Sequence, residues 1–479
     1  MERLTKNSAF YFLFLFTVIS NVSCSKDDES TESIEITVTA SDFTTTMDEN
    51  PTNGQVIGQI EASTNEGELS FTLTQQQNPA GALAVNVTSG ELTVADATLF
   101  DFETNPTITG TLKVANGDVS ENVLVKINLI DLNEEKIYEG DVILKTQEEV
   151  NIFGANGYTR IAGTLTIGLD NDQNDITSLN PLLDLLEVDG FLSIRFNKLL
   201  NNLDGLQNLK TIGDYFTISE NESLKTIGPF ENLITLDSFS LYDNASLNQI
   251  KGFNNVISLE GDLQIIGSPS ITKIEGFNSL ITLKKLTVMG NDGIETFSGF
   301  NSLQTIDDHF SFQNNKNLTA INGFNKLQSF RRLSLQLNSK LENLEFNNLN
   351  PTNQPIVGIT IYRNDALTNI NFLKNASIIN GNFFISYNSS LKNLSGLVNL
   401  NAITETLMIG YNDSIENLDG LQNISHIGED LRIFNNVTLT DFCGLTPLVT
   451  GYDISGYLEI YENAYNPSQQ DIIDGNCSL

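Results

Sequence analysis

The sequence predicts an all-β-dominated chain: a β-sandwich followed by a long β-solenoid of about thirteen turns. Three observations carry that expectation. Apolar residues alternate with polar ones between Ile34 and Asn133. From about Tyr138 onward a unit reading L-x-I-x-x-N-x-x-L recurs every 23 to 27 residues. An asparagine follows the central residue of nearly every unit at one fixed distance.

The first unit, residues 33–135, contains the runs Ile34/Ile36/Val38, Val85/Val87, Leu92/Val94, Leu112/Val114 and Val123/Val125/Ile127/Leu129. Period two places these side chains on one face of each strand. Turn signals at Pro51–Gly54 and Ser89-Gly90 separate the runs, so an antiparallel sandwich is expected. Asp48-Glu49-Asn50-Pro51, Ser89-Gly90-Glu91-Leu92, Phe100-Asp101-Phe102-Glu103 and Asp131-Leu132-Asn133-Glu134 together resemble the motifs of a cadherin repeat. The resemblance implies a calcium site with Glu49, Asp101, Glu103, Asp131 and Asn133 as ligands. Calcium takes six to eight hard oxygen donors, which carboxylates and carbonyls supply. The sequence departs from the pattern at Glu134 and at Asn116-Gly117, and no second repeat follows. A calcium-free sandwich with solvated loop carboxylates is the alternative.

In the second unit, residues 138–479, the central residues are Ile167, Ile194, Ile218, Leu241, Ile265, Val288, Phe312, Leu335, Ile361, Ile385, Ile409, Ile433 and Ile460. A period of this length marks a solenoid, in which each turn buries its apolar face against the next. At about 4.8 Å per rung, the array spans on the order of 60 Å. Three residues after each centre stands Asn197, Asn221, Asn244, Asn291, Asn315, Asn338, Asn364, Asn388, Asn412, Asn436 or Asn463, with Asp170 and Ser268 breaking the column. An amide both donates and accepts, so a stack of them can satisfy the backbone at each corner. A second apolar row runs from Leu224 through Leu318 to Leu439, and glycines recur from Gly205 to Gly444 where a positive φ or close backbone approach is expected.

These rows resemble a leucine-rich-repeat solenoid of the bacterial receptor L-domain type. Gly140–Gly154 and Asn463–Cys477 resemble its end caps, and the resemblance implies a capping disulfide between Cys443 and Cys477, with two free thiols as the alternative.

At the N-terminus, Arg3 and Lys6 precede the apolar run Phe10–Ile19 and the tripeptide Val22-Ser23-Cys24. A basic start, a short apolar core and small residues describe a secretory signal over 1–23. Val-Ser-Cys resembles a bacterial lipobox, and the Ser-Lys-Asp-Asp-Glu behind it resembles the leader of Bacteroidetes surface lipoproteins. That implies lipidation of Cys24 and a flexible tether over 24–32, anchored in the outer membrane and exposed at the cell surface. The alternative is an ordinary cleaved signal.

Composition narrows the chemistry. Asp and Glu number 60 against 25 Lys and Arg, for a net charge of −35. A surface this acidic argues against nucleic acid, which needs cations to displace counterions from phosphates. His309, His426, Cys24, Cys443 and Cys477 do not fit the usual zinc, iron–sulfur or thiol-protease spacings. Asp170–Asn174 begins like a calcium loop but lacks its glycine and closing glutamate. No nucleophile elbow, zincin or Walker sequence occurs, so no enzyme is expected.

Two outward features are candidate partner contacts. Lys285, His309 and Arg332 fall on consecutive rungs just before the first apolar residue, as an anion contact or as local relief of charge repulsion. Tyr362, Phe384, Met408, Phe434 and Tyr461, with Arg432 among them, replace the Thr and Ser of earlier turns. They form either a contact patch or a surface covered by the closing cap. The expected function is adhesion or ligand recognition at the cell surface, with a protein or glycan as partner. The second reading is a glycan-binding accessory lipoprotein of a nutrient-capture system.

Overall fold

The computed structural model describes residues 34–132, 135–170, 174–228, 230–351, 354–451 and 453–479. The chain divides into two compact units on either side of the 133/134 bond. Cys24, with the signal and tether, lies outside the described residues, as does Asn133.

The first unit packs a four-stranded sheet, ordered Phe43–Asp48, Val119–Ile130, Thr107–Asn116 and Ser70–Asn78, with a three-stranded sheet of Val56–Gln59, Glu91–Val94 and Leu83–Val85. Alternation decides what is buried: Val123, Val125, Ile127 and Leu129 are 5% exposed or less, and the residues between them face outward. They meet Ile108, Leu112, Val114, Leu92, Val94 and Phe100 in one core. One expectation is corrected. Phe43–Asp48 runs parallel, not antiparallel, to Val119–Ile130, with Phe43 opposite Val125 and Asp48 opposite Ile130. The first strand reaches the last only after the rest of the sandwich has intervened, and that long crossover permits a parallel pair.

In the second unit one parallel sheet runs from Val142–Leu144 to Leu458–Tyr461. The central residues stack in unbroken register, as in Ile194 beside Ile218 and Ile218 beside Leu241. Leu144, contributed by the N-terminal cap ahead of helix Gln147–Gly154, sits beside Ile167 and extends the row by one strand. From Ile167 to Ile433 these centres are buried, each contributing roughly 1.5–3 kcal/mol on burial. The row from Leu224 to Leu439 is buried beneath them. A third row is aromatic: Phe230, Phe253, Phe277, Phe300 and Phe324 follow one another at centroid distances of 5.0–5.6 Å.

The asparagine column is a hydrogen-bonded ladder. The backbone N–H of Asn315 donates to Oδ1 of Asn338 at 3.1 Å, and Asn338 Nδ2 donates back to the carbonyl of Phe312 at 2.9 Å. The same exchange repeats from Asn197 to Asn463, whose own N–H is closed off by Asn466 Oδ1 at 2.8 Å. Ser268 keeps the chain of acceptors: Asn244 N–H donates to its hydroxyl at 3.2 Å, and its own N–H donates to Asn291 at 3.0 Å. Asp170 is exposed and takes no place in the ladder. A second amide column, not expected, runs along an exposed corner: Asn208 donates to Leu183 O at 2.9 Å, Asn232 to Gln207 O at 3.1 Å and Asn423 to Val398 O at 2.6 Å.

The recurrent glycines serve two purposes. Gly205 has a φ of +109°, whereas Gly396 has no positive φ but would place a Cβ 2.1 Å from the carbonyl of Ile370. A tighter constraint lies elsewhere. The residue just before each ladder asparagine is left-handed on rung after rung, with φ of 51–61° at Phe196, Glu220, Asp243, Asn314, Leu337, Arg363, Tyr387, Tyr411, Asn435 and Glu462. That corner swings its side chain outward beside the strand.

Candidate functional site

The sandwich gathers its predicted carboxylates at one end. Glu49 follows the first sheet strand and is only 2% exposed. Its Oε2 accepts from Phe102 N–H and its Oε1 from Leu132 N–H, both at 2.6 Å, so one carboxylate ties together the two loops that carry the other acids. Ligand oxygens of Glu49, Glu103 and Asp131 lie within 4.8 Å of one another. Asp101 turns back into its own loop, its Oδ1 accepting from Thr104 N–H at 3.0 Å and its Oδ2 from the Thr104 hydroxyl at 3.1 Å. The proton affinity of Glu103 records the crowding. A hydrogen bond from its own backbone N–H favours the anion, but desolvation and the charges of Glu49, Asp131 and Asp101 outweigh it and raise the pKa. An all-oxygen, mutually repelling donor set fits a hard divalent cation.

The basic column is in register, with Lys285 opposite His309 and His309 opposite Arg332. Its charges are engaged: Lys285 Nζ is 3.2 Å from Asp262 and Arg332 is 2.6 Å from Asp308. Burial lowers the pKa of His309; the Asp308 charge opposes this and the Lys285 and Arg332 charges add to it, which leaves the imidazole neutral at pH 7. The strip thus contains two local ion pairs on either side of His309.

The aromatic residues occupy two columns. Phe384, Met408 and Arg432 stand opposite one another in the middle of the strands and are half-buried. Arg432 is held by Asp430 at 2.7 Å and Glu459 at 3.3 Å. Tyr362, Phe434 and Tyr461 belong to the neighbouring column, where Ser386 and Gly410 stand between Tyr362 and Phe434. At Gly410 the space a Cβ would take is met by the Phe434 ring at 3.0 Å. Two rings the sequence reading passed over, Tyr387 and Tyr411, swung out by the left-handed corner, link Tyr362 to Phe434 in a continuous file. Tyr362 meets Tyr387 edge-on at 5.4 Å, and Tyr387 stacks on Tyr411 at 4.2 Å. Tyr411 meets Phe434 edge-on at 5.6 Å, and Phe434 stacks on Tyr461 at 5.1 Å.

Beside this file opens a cleft of about 420 Å³, lined by Arg363, Asp365, Tyr387, Ser389, Tyr411 and Asp413. The Arg363 guanidinium lies 5.3 Å from the ring centres of both Tyr362 and Tyr387, a cation–π contact, and has no carboxylate partner among the described residues. Desolvation, with a hydrogen bond to Tyr411, raises the pKa of the Tyr387 phenol. The clue available in sequence was the position two residues past each centre, which reads Arg363, Tyr387 and Tyr411 on consecutive rungs. The cap leaves Tyr461, the last ring of the file, 43% exposed. That cap is closed by a disulfide between Cys443 and Cys477.

No protein-family model matches the chain, and no curated protein matches it. Solved structures similar to part of it are cadherin domains. Protocadherin gamma B2 extracellular cadherin domains 3–6 match at 20% identity over 21% of this chain and 23% of that one, with a TM-score of 0.19. The human desmocollin-1 ectodomain matches at 18% identity over 22% of each chain, TM-score 0.18. Drosophila N-cadherin EC1–4 matches at 22% identity over 22% of this chain and 28% of that one, TM-score 0.19. The matches thus span about a fifth to a quarter of those solved chains. No helix among the described residues is long and apolar enough to cross a membrane.

Proposed function

We propose that this chain is a lipid-anchored surface protein, tethered through Cys24 at the bacterial outer membrane, that recognises a ligand through the C-terminal rungs of a receptor L-domain-like solenoid. The sandwich serves as spacer, with Glu49, Glu103 and Asp131 holding calcium. The chain binds and does not catalyse. One observation carries the reading: the file from Tyr362 to Tyr461, half-buried along its length and exposed at Tyr461, lies beside polar groups that have no ion-pair partner among the described residues. Aromatic rings backed by a rigid sheet lose little entropy on contact, which is how interface anchors gain their energy.

Adhesion of protein-coated beads to bacterial and host cells tests this. Wild-type beads should adhere above bare beads, and a Tyr387→Asn/Tyr411→Asn variant should lose that excess. Asparagine tolerates the left-handed corner, so the substitution removes the rings without straining the backbone. Equal adhesion of wild-type and bare beads to every surface would reject the reading.

A further inference from the structure

We infer that the cleft beside the tyrosine file takes a neutral saccharide chain laid along the solenoid axis; this deepens the recognition reading above and rests on it. Four features of the cleft describe its occupant. Asp365 and Asp413, both exposed, lie on the same corner column two rungs apart, with Ser389 on the rung between them, and no side-chain partner among the described residues neutralises either. They demand hydrogen-bond donors from the ligand. Arg363 offers donors of its own and demands an acceptor. Tyr387 and Tyr411 present hydroxyls and ring edges, because their faces are closed against each other at 4.2 Å. A hydroxyl both donates and accepts, and sugar rings add C–H surface, so a polyol answers all of these groups at once.

Charge excludes the nearest competitors. An anionic polymer would meet the Asp pair on a chain of net charge −35. A cationic segment would meet Arg363 within the same cleft. The repeat of the site adds length to the argument: equivalent positions recur every rung, about 4.8 Å apart. A pyranose unit in an extended chain advances by nearly that distance, so successive sugars meet successive rungs.

The test is an array of linear neutral hexasaccharides of glucose, mannose and galactose in α and β linkages, followed by calorimetry on the full chain. At least one hexasaccharide should bind wild type, with affinity lowered about tenfold or more in Asp365→Asn/Asp413→Asn and in Tyr411→Asn, a loss worth about 1.4 kcal/mol or more. Glu220→Asn, at the corresponding corner of an early rung, should bind like wild type. The aspartate pair is exposed, so its variant decides the matter even if Tyr411→Asn folds poorly. Absence of binding to every hexasaccharide overturns the inference, as does equal binding by all variants. Binding of oligolysine, lost with the aspartate pair, overturns it in favour of a cationic protein segment. If beads adhere to cells while no saccharide binds, the saccharide inference fails and the recognition reading stands. If saccharide binds while beads adhere nowhere, adhesion fails and the saccharide site stands.

Discussion

The sandwich and the solenoid solve the same problem, burying one face of a β-sheet, and they store their polar groups in opposite ways. The sandwich closes two sheets over a single core and gathers Glu49, Glu103 and Asp131 at one end, where they repel. The solenoid's buried polar side chains are uncharged among the described residues: hydroxyls such as Ser268 and Ser311, and a column of amides from Asn197 to Asn463 bonded to neighbouring rungs, with only Asn197 Oδ1 at its start left without a partner. Repetition makes the solenoid's stability a sum of neighbour contacts, whereas the sandwich stands or falls as a unit.

The strongest way to break this contrast is inside the ladder. Asn338→Ala removes the acceptor of Asn315 N–H and the donor to Phe312 O, both buried. Two orphaned backbone groups cost about 3–5 kcal/mol together. Urea denaturation should show that loss in the solenoid transition while the sandwich transition stays where it is. A change below about 1 kcal/mol would mean the ladder adds little to stability.

Opening the cap is next in size. The Cys443–Cys477 bond closes a separation of 34 residues, for which chain entropy gives an upper estimate of about 3–4 kcal/mol. In a linear array the effect should be local. Hydrogen exchange of Cys443→Ser/Cys477→Ser should speed up around Leu439 and Ile433 and remain unchanged near Leu241. Uniform acceleration would show that the rungs unfold together.

Calcium sharpens the other half of the comparison. At a hundred times its dissociation constant, a bound ion stabilises by about 2.7 kcal/mol, which for a domain this small amounts to roughly 10 °C or more. Calorimetry with calcium and then with chelator should move only the sandwich transition. No movement there rejects the calcium site.

How much of this was legible beforehand follows from periodicity. Rows that repeat, such as Ile194–Ile433 and Asn197–Asn463, announce themselves because each rung imposes the same burial on the same kind of residue. The carboxylate cluster was legible through motif alone, and the structure adds that Glu49 is spent partly on holding two loops. The tyrosine file was half missed because it is assembled from two positions, the strand residue at Tyr362, Phe434 and Tyr461 and the left-handed corner at Tyr387 and Tyr411. Nothing in a linear pattern says that rings at one position will bridge between rings at the other. The parallel pairing of Phe43–Asp48 was invisible for a related reason, since alternation fixes the buried face but not the strand direction.

The finest test turns on Glu103. Its folded pKa is raised above the ordinary carboxylate value, so the protonated form is favoured in the folded state. The linkage has a definite sign: the stabilisation from that proton is fully present below the unfolded pKa and is lost as pH rises through the raised folded value. In chelator, the sandwich of wild type should therefore lose stability over that window relative to Glu103→Gln, which cannot ionise. Near neutral pH the variant should melt slightly higher than wild type without calcium, because one of the three clustered charges has gone. With calcium the order should reverse, since the same substitution removes a ligand that the ion would have neutralised. Differential scanning calorimetry of both proteins, with calcium and with chelator, reads all four cases. A Glu103→Gln sandwich that melts below wild type in chelator would show that its carboxylate is stabilised by the backbone hydrogen bond more than it is strained by its neighbours.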